Sequence, residues 1–347
     1  MSNESFESPW PPLIREFVAT NAGSFDQTLP WLYAFGAHVL GDASRIDFVR
    51  STDEAGRISA ALPLHEAVLE IYPHVSRAAI VAPSNYYTGL VAPVCGVSVN
   101  RVDYVGLACE CLARSSAVCA FDLNPLEDGS EFIDSLTSVF EENGWWVEIY
   151  KRFGNWIESI EGRSFAEYLS DRPSQLRATL LRRGKRFLST PGAALRIVSD
   201  PSEVDGALDR YEHVYRLSWK QAEPFADFIR AVAREFAARN WLRIGLVEID
   251  NVPIAAQIWF VYRDTASIFK LAYDPEYRNL SAGSLLSSAM FECAIDRDRV
   301  SVIDYLCGDD RYKQDWMSLR RQRVGFRAVR KRSIPGAMEF LRRATRR

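Results

Sequence analysis

Arg278, Ser281 and Gly283 stand at the spacing Arg-x-x-Ser-x-Gly, within the run Tyr273-Asp274-Pro275-Glu276-Tyr277-Arg278-Asn279-Leu280-Ser281-Ala282-Gly283-Ser284. The run leaves a strand, crosses a polar turn and enters a helix. The small residues Ser281, Ala282, Gly283 and Ser284 leave the first N–H groups of that helix uncovered. A helix end of this kind has unpaired donors and partial positive charge, which suits phosphate or pyrophosphate. The same spacing also suits an ordinary helix start that holds only water. Further on, Ser301 to Leu306 reads as a short buried strand, followed by Cys307-Gly308-Asp309-Asp310-Arg311-Tyr312-Lys313. Gly308 and the two acids mark a turn. Tyr312 and Lys313 then lie just past a strand's C-terminal end, where α/β folds tend to place reactive groups. A tyrosine hydroxyl can give a proton to a leaving group, and a lysine can hold a carbonyl or phosphate oxygen. Asp309 can accept a proton if a cleft raises its pKa. The plainer alternative is a capped helix with a packed tyrosine and a solvated lysine.

Taken together, these segments resemble a known family. From about Pro173 to Gly325 the chain is similar to the CelD-type acetyltransferase domain, a branch of the GNAT acyltransferases related to the FemAB-like double-GNAT proteins. The matching residues are Ser218-Trp219-Lys220, Asp250-Asn251-Val252-Pro253-Ile254-Ala255, Lys270-Leu271-Ala272-Tyr273-Asp274, Ser281-Ala282-Gly283 with Leu285 and Leu286, Asp304, Gly308-Asp309, Tyr312-Lys313 and Trp316. The family loop is Arg/Gln-x-x-Gly-x-Gly/Ala and binds the pyrophosphate of acyl-CoA. Arg278 and Gly283 fit it, and Ser281 replaces the first glycine. The resemblance implies an N-acyltransferase that moves an acyl group, acetyl foremost, from acyl-CoA to an amine of a small molecule or an envelope or exopolysaccharide precursor. Arg278, Ser281, Ala282, Gly283, Ser284 and Tyr273 would hold the donor. Tyr312 would protonate the leaving thiolate, Asp309 would take the amine's proton, and Lys313 and Lys270 would bind an anionic group. Trp219, Lys220, Gln257 and Lys270 are the residues expected at the acceptor. An aminoacyl-tRNA donor, as in FemAB relatives, and a non-catalytic accessory role are the alternatives.

These residues need a scaffold, and hydrophobic periodicity supplies one. Ser174 to Ser189 reads as a basic helix with Leu176, Leu180, Leu181, Phe187 and Leu188 as its apolar side. Ala194 to Val198 is a strand. A helix with the stripe Val204, Leu208, Tyr211, Tyr215 and Trp219 follows, entered through Pro201-Ser202 and Asp205 as a variant capping box. Phe225, Phe228, Ile229, Val232 and Phe236 make the inner side of the next helix, with Pro224 at its first turn. Trp241 to Ile249, Ile254 to Tyr262 and Ser267 to Tyr273 form an antiparallel meander, turning at Asp250-Asn251 and Arg263-Asp264. A helix from Ser284 and the strand from Val300 complete the GNAT order. In the first half, Leu13 to Asn21 and Ser130 to Asn143 read as helices, and Arg45 to Arg50, Arg57 to Leu64 and Trp145 to Tyr150 as strands. Residues 75–110 offer only short apolar stretches broken by Pro and Gly. The expected fold is α/β (α+β mixed), with two GNAT-like domains, each a mostly antiparallel mixed sheet flanked by helices. The first is expected not to bind CoA, since nothing in it resembles the pyrophosphate turn.

The 347 residues suffice for two domains of ordinary size. Residues 1–171 carry 10 Lys/Arg and 24 Asp/Glu, and residues 172–347 carry 32 and 21. This change of sign, with Asp171-Arg172-Pro173 as punctuation, places domains at 1–171 and 172–330 and a basic tail at 331–347. A basic second half attracts CoA, a nucleotide-linked substrate or RNA, or is neutralised by the acidic first half. Aromatic interleaving in the tail is thin, so no dedicated nucleic-acid surface is expected; tRNA enters only with the alternative donor. The six cysteines are scattered and the four histidines form no cluster, which argues against a metal site. No apolar run of 18 residues occurs, and Met1 to Pro12 has no secretory pattern, so a cytoplasmic location is expected. Acceptor, acyl length and oligomeric state are not legible.

Overall fold

The computed structural model describes residues 9–345. In chain order it contains α1 (Pro12–Asn21), α2 (Leu29–Phe35), β1 (Asp47–Thr52), β2 (Ile58–Tyr72), β3 (Val75–Val81), β4 (Val94–Cys95), α3 (Arg101–Arg114), β5 (Ala120–Glu127), α4 (Glu131–Glu142) and β6 (Trp145–Ser159). There follow α5 (Phe165–Ser170), α6 (Ser174–Leu188), β7 (Ala193–Val198), α7 (Val204–Leu217), α8 (Ala226–Ala238), β8 (Leu242–Ile249), β9 (Val252–Tyr262) and β10 (Thr265–Tyr273). The last elements are α9 (Ala282–Glu292), β11 (Val302–Asp304), β12 (Leu319–Arg330) and α10 (Ile334–Thr345). The fold is mixed α/β, with helices flanking mixed sheet.

Two compact units are present. One gathers the described residues up to Phe153 with those from Gln322 onward, and the other is Gly154–Arg321. The reversal of charge at residue 172 falls inside the second unit. Arg172 itself is buried, with its guanidinium bonded to Glu158, to the carbonyl of Trp316 and to Ser318. A charged residue that reads as punctuation is here part of an interior ion pair.

In the first unit the strand order is β1-β2-β3-β5-β12-β6, with β4 beside β2. β3 and β5 run parallel for three residue pairs, Ala79↔Ala120 to Val81↔Asp122, and α3 connects them. α3 occupies a stretch that by sequence offers only broken apolar runs. Its buried face is Asp103, Leu107, Ala108 and Cys111, too weakly apolar to announce a helix, and Gly106 interrupts it. Among the described residues at the basic end of the chain, several cations are engaged within this unit. Arg330 and Arg343 lie over Trp145 and Trp146, at 4.7 and 4.8 Å, and Arg342 and Arg343 bind Glu339.

The second unit has the order β6-β11-β10-β9-β8-β7. The meander expected from periodicity is present. Its first turn is tight because Asp250 and Asn251 both take positive φ, 48° and 65°, as a hairpin matched to the sheet's twist requires. α9 packs Leu286, Met290 and Phe291 onto this sheet. The approach depends on bare backbone, since a Cβ on Gly245 would lie 2.6 Å from the Met290 sulfur. α7 is entered differently from expectation, through a 3₁₀ turn (Pro201–Glu203) that Asp200 caps by accepting the Ser202 N–H at 2.8 Å, while α7 itself has no side-chain cap. On α6, Leu176, Leu180 and Phe187 are buried, whereas Leu181 and Leu188 face solvent.

Candidate active site

The site is built on a split in the second unit's sheet. β10 and β11 run parallel for only three residue pairs, the last being Ser267↔Asp304. Beyond it β10 continues to Tyr273, with a bulge between Ile268 and Lys270. β11 stops because Asp304 takes over the backbone. Its carboxylate accepts the Leu306 N–H at 2.7 Å and is held by Asn155 at 2.6 Å and Arg321 at 3.0 Å. Leu306 is turned to φ 50°, so the chain leaves the ladder there. Asp304 is thus a strand-ending residue.

Carbonyls released by the split need partners. Lys220, from the loop after α7, donates to the Leu271 carbonyl at 2.5 Å. Lys313 donates to the carbonyls of Cys307, Gly308 and Tyr305 at 2.6, 3.2 and 3.4 Å. Lys313 is buried rather than solvated, and these bonds occupy the ammonium that was expected to meet substrate. A third lysine, Lys270 on β10, is buried against Glu223, with Nζ 2.9 Å from the carboxylate. The Tyr211 hydroxyl donates to the same carboxylate at 3.0 Å. Burial pushes the Lys270 ammonium down to about 8, with Glu223 opposing the shift and Lys220 adding to it. Burial also lowers Lys220 and Lys313, against the pull of Glu223 and Asp310 on the first and of Asp310 foremost on the second.

α9 starts at the far end of β10. Ser281, just before it, is left-handed at φ 56°, ψ 36°, and no side chain caps the helix. The first turn holds no acid, so the N–H groups of Ala282, Gly283 and Ser284 meet neither an intrahelical acceptor nor a local carboxylate. α3, the helix in the same topological place of the first unit, is closed. Asn100 accepts the Val102 N–H at 2.7 Å, and Asp103 accepts the Asn100 N–H at 2.9 Å. Beside the open end of α9, Trp219 packs on Tyr273 with ring centroids 4.8 Å apart. Trp219 is 60% exposed, which leaves it available to a ligand rather than to the core. Arg278 is exposed on the 3₁₀ turn Pro275–Leu280, and Ala282 is buried. Gln257 is buried and fully occupied. It donates to Ser287 at 2.8 Å and to the Gly283 carbonyl at 3.3 Å, and accepts from Trp259 at 2.8 Å. It ties β9 to the first turn of α9 and presents no free polar atom to an acceptor.

The condition set for Asp309 as a base is not met. Its carboxylate is exposed and bound by Arg320 at 2.5 to 3.0 Å and by the Trp156 indole at 2.8 Å, and the Arg320 pair foremost holds its pKa below the ordinary value. β6 approaches this pair as bare backbone, for a Cβ on Gly154 would lie 2.6 Å from the Asp309 carboxyl. Tyr312 is 41% exposed and packs edge-on against Tyr305 at 5.8 Å. Surrounding protein, and then the Asp310 carboxylate, push its hydroxyl above the usual tyrosine range. It stays protonated at neutral pH. A pocket of about 330 Å³ opens between α7 and the start of α8, lined by Tyr211, Tyr215, Arg216, Lys220 and Glu223 among others. Glu223 was not singled out by sequence, where it stands beside Pro224 as one more helix-entry acid. Among the described residues no three His, Cys, Asp or Glu side chains gather as around a metal ion, and no helix is long and apolar enough to cross a membrane.

Residues 174–314 match the family model described as an acetyltransferase (GNAT) domain. No curated protein sequence matches the chain. Among solved structures, FemX is similar at 10% identity and a TM-score of 0.64, over 94% of this chain and 96% of that one. The C-terminal domain of a putative lysylphosphatidylglycerol synthetase from Agrobacterium fabrum is similar at 14% identity and a TM-score of 0.56, over 94% of each chain. L-PGS from Bacillus licheniformis gives 14% identity and a TM-score of 0.55, over 98% of each. At these identities the likeness is one of fold. Residues 174–314 are thus similar to a GNAT acetyltransferase domain, on a fold shared with these structures.

Proposed function

We propose that the second unit transfers an acyl group, acetyl foremost, from acyl-CoA to the amine of a small molecule or of an envelope or exopolysaccharide precursor. The observation that carries this reading is the open, acid-free N-terminus of α9 beside the split between β10 and β11. In it, Arg278 and the N–H groups of Ala282, Gly283 and Ser284 meet the pyrophosphate, and Tyr273 flanks the arm leading to the split. The acceptor enters through the pocket beside Tyr211 and Tyr215, with Trp219 at its edge. The amine nitrogen attacks the thioester carbonyl carbon and the carbon–sulfur bond breaks. Tyr312 supplies the proton that the departing thiolate takes. The amine's proton passes to Lys270 in its neutral form rather than to Asp309, because an amine lowered to about 8 reaches that form near neutral pH and is then a far better base than a carboxylate held by arginine. Lys220 and Lys313 keep the split open and make its field positive. The first unit, whose corresponding helix is capped by its own Asn100 and Asp103, is assigned no donor site.

A second reading keeps the acceptor chemistry and changes the donor to aminoacyl-tRNA. It is favoured by the outer side of α6, where Arg177, Arg182, Lys185 and Arg186 are exposed without an acid, on a helix that packs against α9 and the Pro275–Leu280 turn. Calorimetric titration with acetyl-CoA and a longer acyl-CoA separates the two, with Gly283→Glu as control. Saturable binding that the variant loses supports the CoA donor. Silence with both thioesters, and binding of an aminoacyl-tRNA, replaces it with the second reading. Silence with all three leaves the accessory role.

A further inference from the structure

The last helix of the first unit wears its apolar residues on the outside. Ile334, Phe340 and Leu341 are 62, 59 and 63% exposed, and Ala337 and Ala344 are exposed as well. Ile334, Ala337, Leu341 and Ala344 recur at three- and four-residue steps and form one stripe along α10. An amphipathic surface helix ordinarily turns such a stripe to its own core. Here the inward residues, Pro335, Gly336 and Glu339, include an acid. Glu339 is 2% exposed and accepts from the Tyr72 hydroxyl and from Arg342 and Arg343. A groove of about 430 Å³ runs along the stripe, lined by Trp146, Lys331, Gly336, Ala337, Phe340 and Leu341.

Charge decides what covers this face. From Arg330 to Thr345 there are five Arg/Lys and one acid, and that acid is the internally bound Glu339. Lys331 and Arg332 are exposed, and Lys331 lies 4.6 Å from the Trp146 ring centroid. Residues 1–153 and 322–329, which belong to the same unit, carry 11 Lys/Arg and 20 Asp/Glu. An anionic surface therefore attracts this one end and repels the acidic body, which sets an orientation. We propose that α10 is a docking helix for a bilayer surface containing anionic lipid, with Ile334, Phe340 and Leu341 entering the interfacial layer and Lys331 and Arg332 among the headgroups. RNA rewards the cations but gives nothing for an outward isoleucine and leucine. A second copy would bring two basic collars together. The inference is independent of the acyl-transfer reading.

The test is co-sedimentation of the full chain with phosphatidylcholine vesicles and with vesicles containing phosphatidylglycerol. The expected result is binding to the anionic vesicles at least about tenfold tighter than to neutral ones. Phe340→Glu with Leu341→Glu, and separately Ile334→Glu, should each weaken it about tenfold or more, since the apolar contribution is removed. Val68→Glu, at an exposed apolar position on β2, should leave it unchanged. Lys331→Glu with Arg332→Glu should weaken binding and flatten its salt dependence. No preference for anionic vesicles overturns the proposal, as does unaltered binding by the Phe340/Leu341 and Ile334 variants. A transfer-RNA complex lost in the Lys331/Arg332 variant, without vesicle binding, assigns the face to nucleic acid. A dimer in sedimentation that Ile334→Glu abolishes assigns it to a second copy.

Discussion

Glu223→Gln is the perturbation with the sharpest consequence, because Glu223 is the acid bonded to the buried Lys270 ammonium. Burial takes Lys270 from the ordinary 10.5 to about 8, a bias of ~3 kcal/mol against the charged form. An opposite charge at this distance supports the charged form by about 1–3 pH units. Neutralising Glu223 should therefore take Lys270 to between about 5 and 7. The chain has six lysines, few enough for a titration of lysine labelled at the ε-carbon and ζ-nitrogen, followed by NMR. Lys270→Arg identifies the resonance. In the parent protein, Lys220, Lys270 and Lys313 should titrate below the ordinary lysine value. A Lys270 resonance that titrates near 10 in the parent, or stays in place in Glu223→Gln, refutes the reasoning. The sign for stability follows from the same numbers. Between pH 8 and 10.5 the unfolded chain binds this proton and the folded chain does not, so this group makes stability rise with pH across that window. If the pair accepts the amine's proton, the rising limb of rate against pH lies near 8 and moves to lower pH in Glu223→Gln.

Three further outcomes are expected. Ser281→Gly should raise stability by up to about 1 kcal/mol in denaturant melts, because φ 56° is costly for a residue with a Cβ; a loss of stability would contradict the strained turn. Tyr312→Phe should lower kcat about 10²-fold with KM unchanged, and full turnover would remove the proton-donor assignment. Asp304→Ala should cost about 2–4 kcal/mol by leaving Leu306 N–H, Asn155 and Arg321 without their shared acceptor, whereas a cost under about 0.5 kcal/mol would mean that another group ends β11.

The second unit was legible from sequence where local rules and tertiary packing agree. The β8–β9–β10 meander, the Asp250-Asn251 turn and the small-residue entry to α9 each follow from short-range pattern. α3 was lost because alanine and cysteine supply a core without a strong apolar signal. Asp309 and Lys313 were misjudged for one reason: their state depends on partners distant in sequence or on backbone geometry. Arg320 and Trp156 fix the first, and the carbonyls freed by the end of β11 fix the second. Glu223 could not be recognised, since only the fold brings it to Lys270. Leu181 and Leu188 fell into an apolar stripe by periodicity, although only the packing of α6 tells inner from outer positions.

The three-pair ladder between β10 and β11 also makes a mechanical seam. The strands on its two sides are joined across the sheet at Thr265 to Ser267, and beyond that each side is held separately, Lys220 on a β10 carbonyl and Lys313 on the carbonyls that follow β11. Thermal opening of the second unit should begin along this line. A ligand that touches both lips acts as a clasp, so its binding is felt as stiffness throughout the sheet, well beyond the atoms it touches.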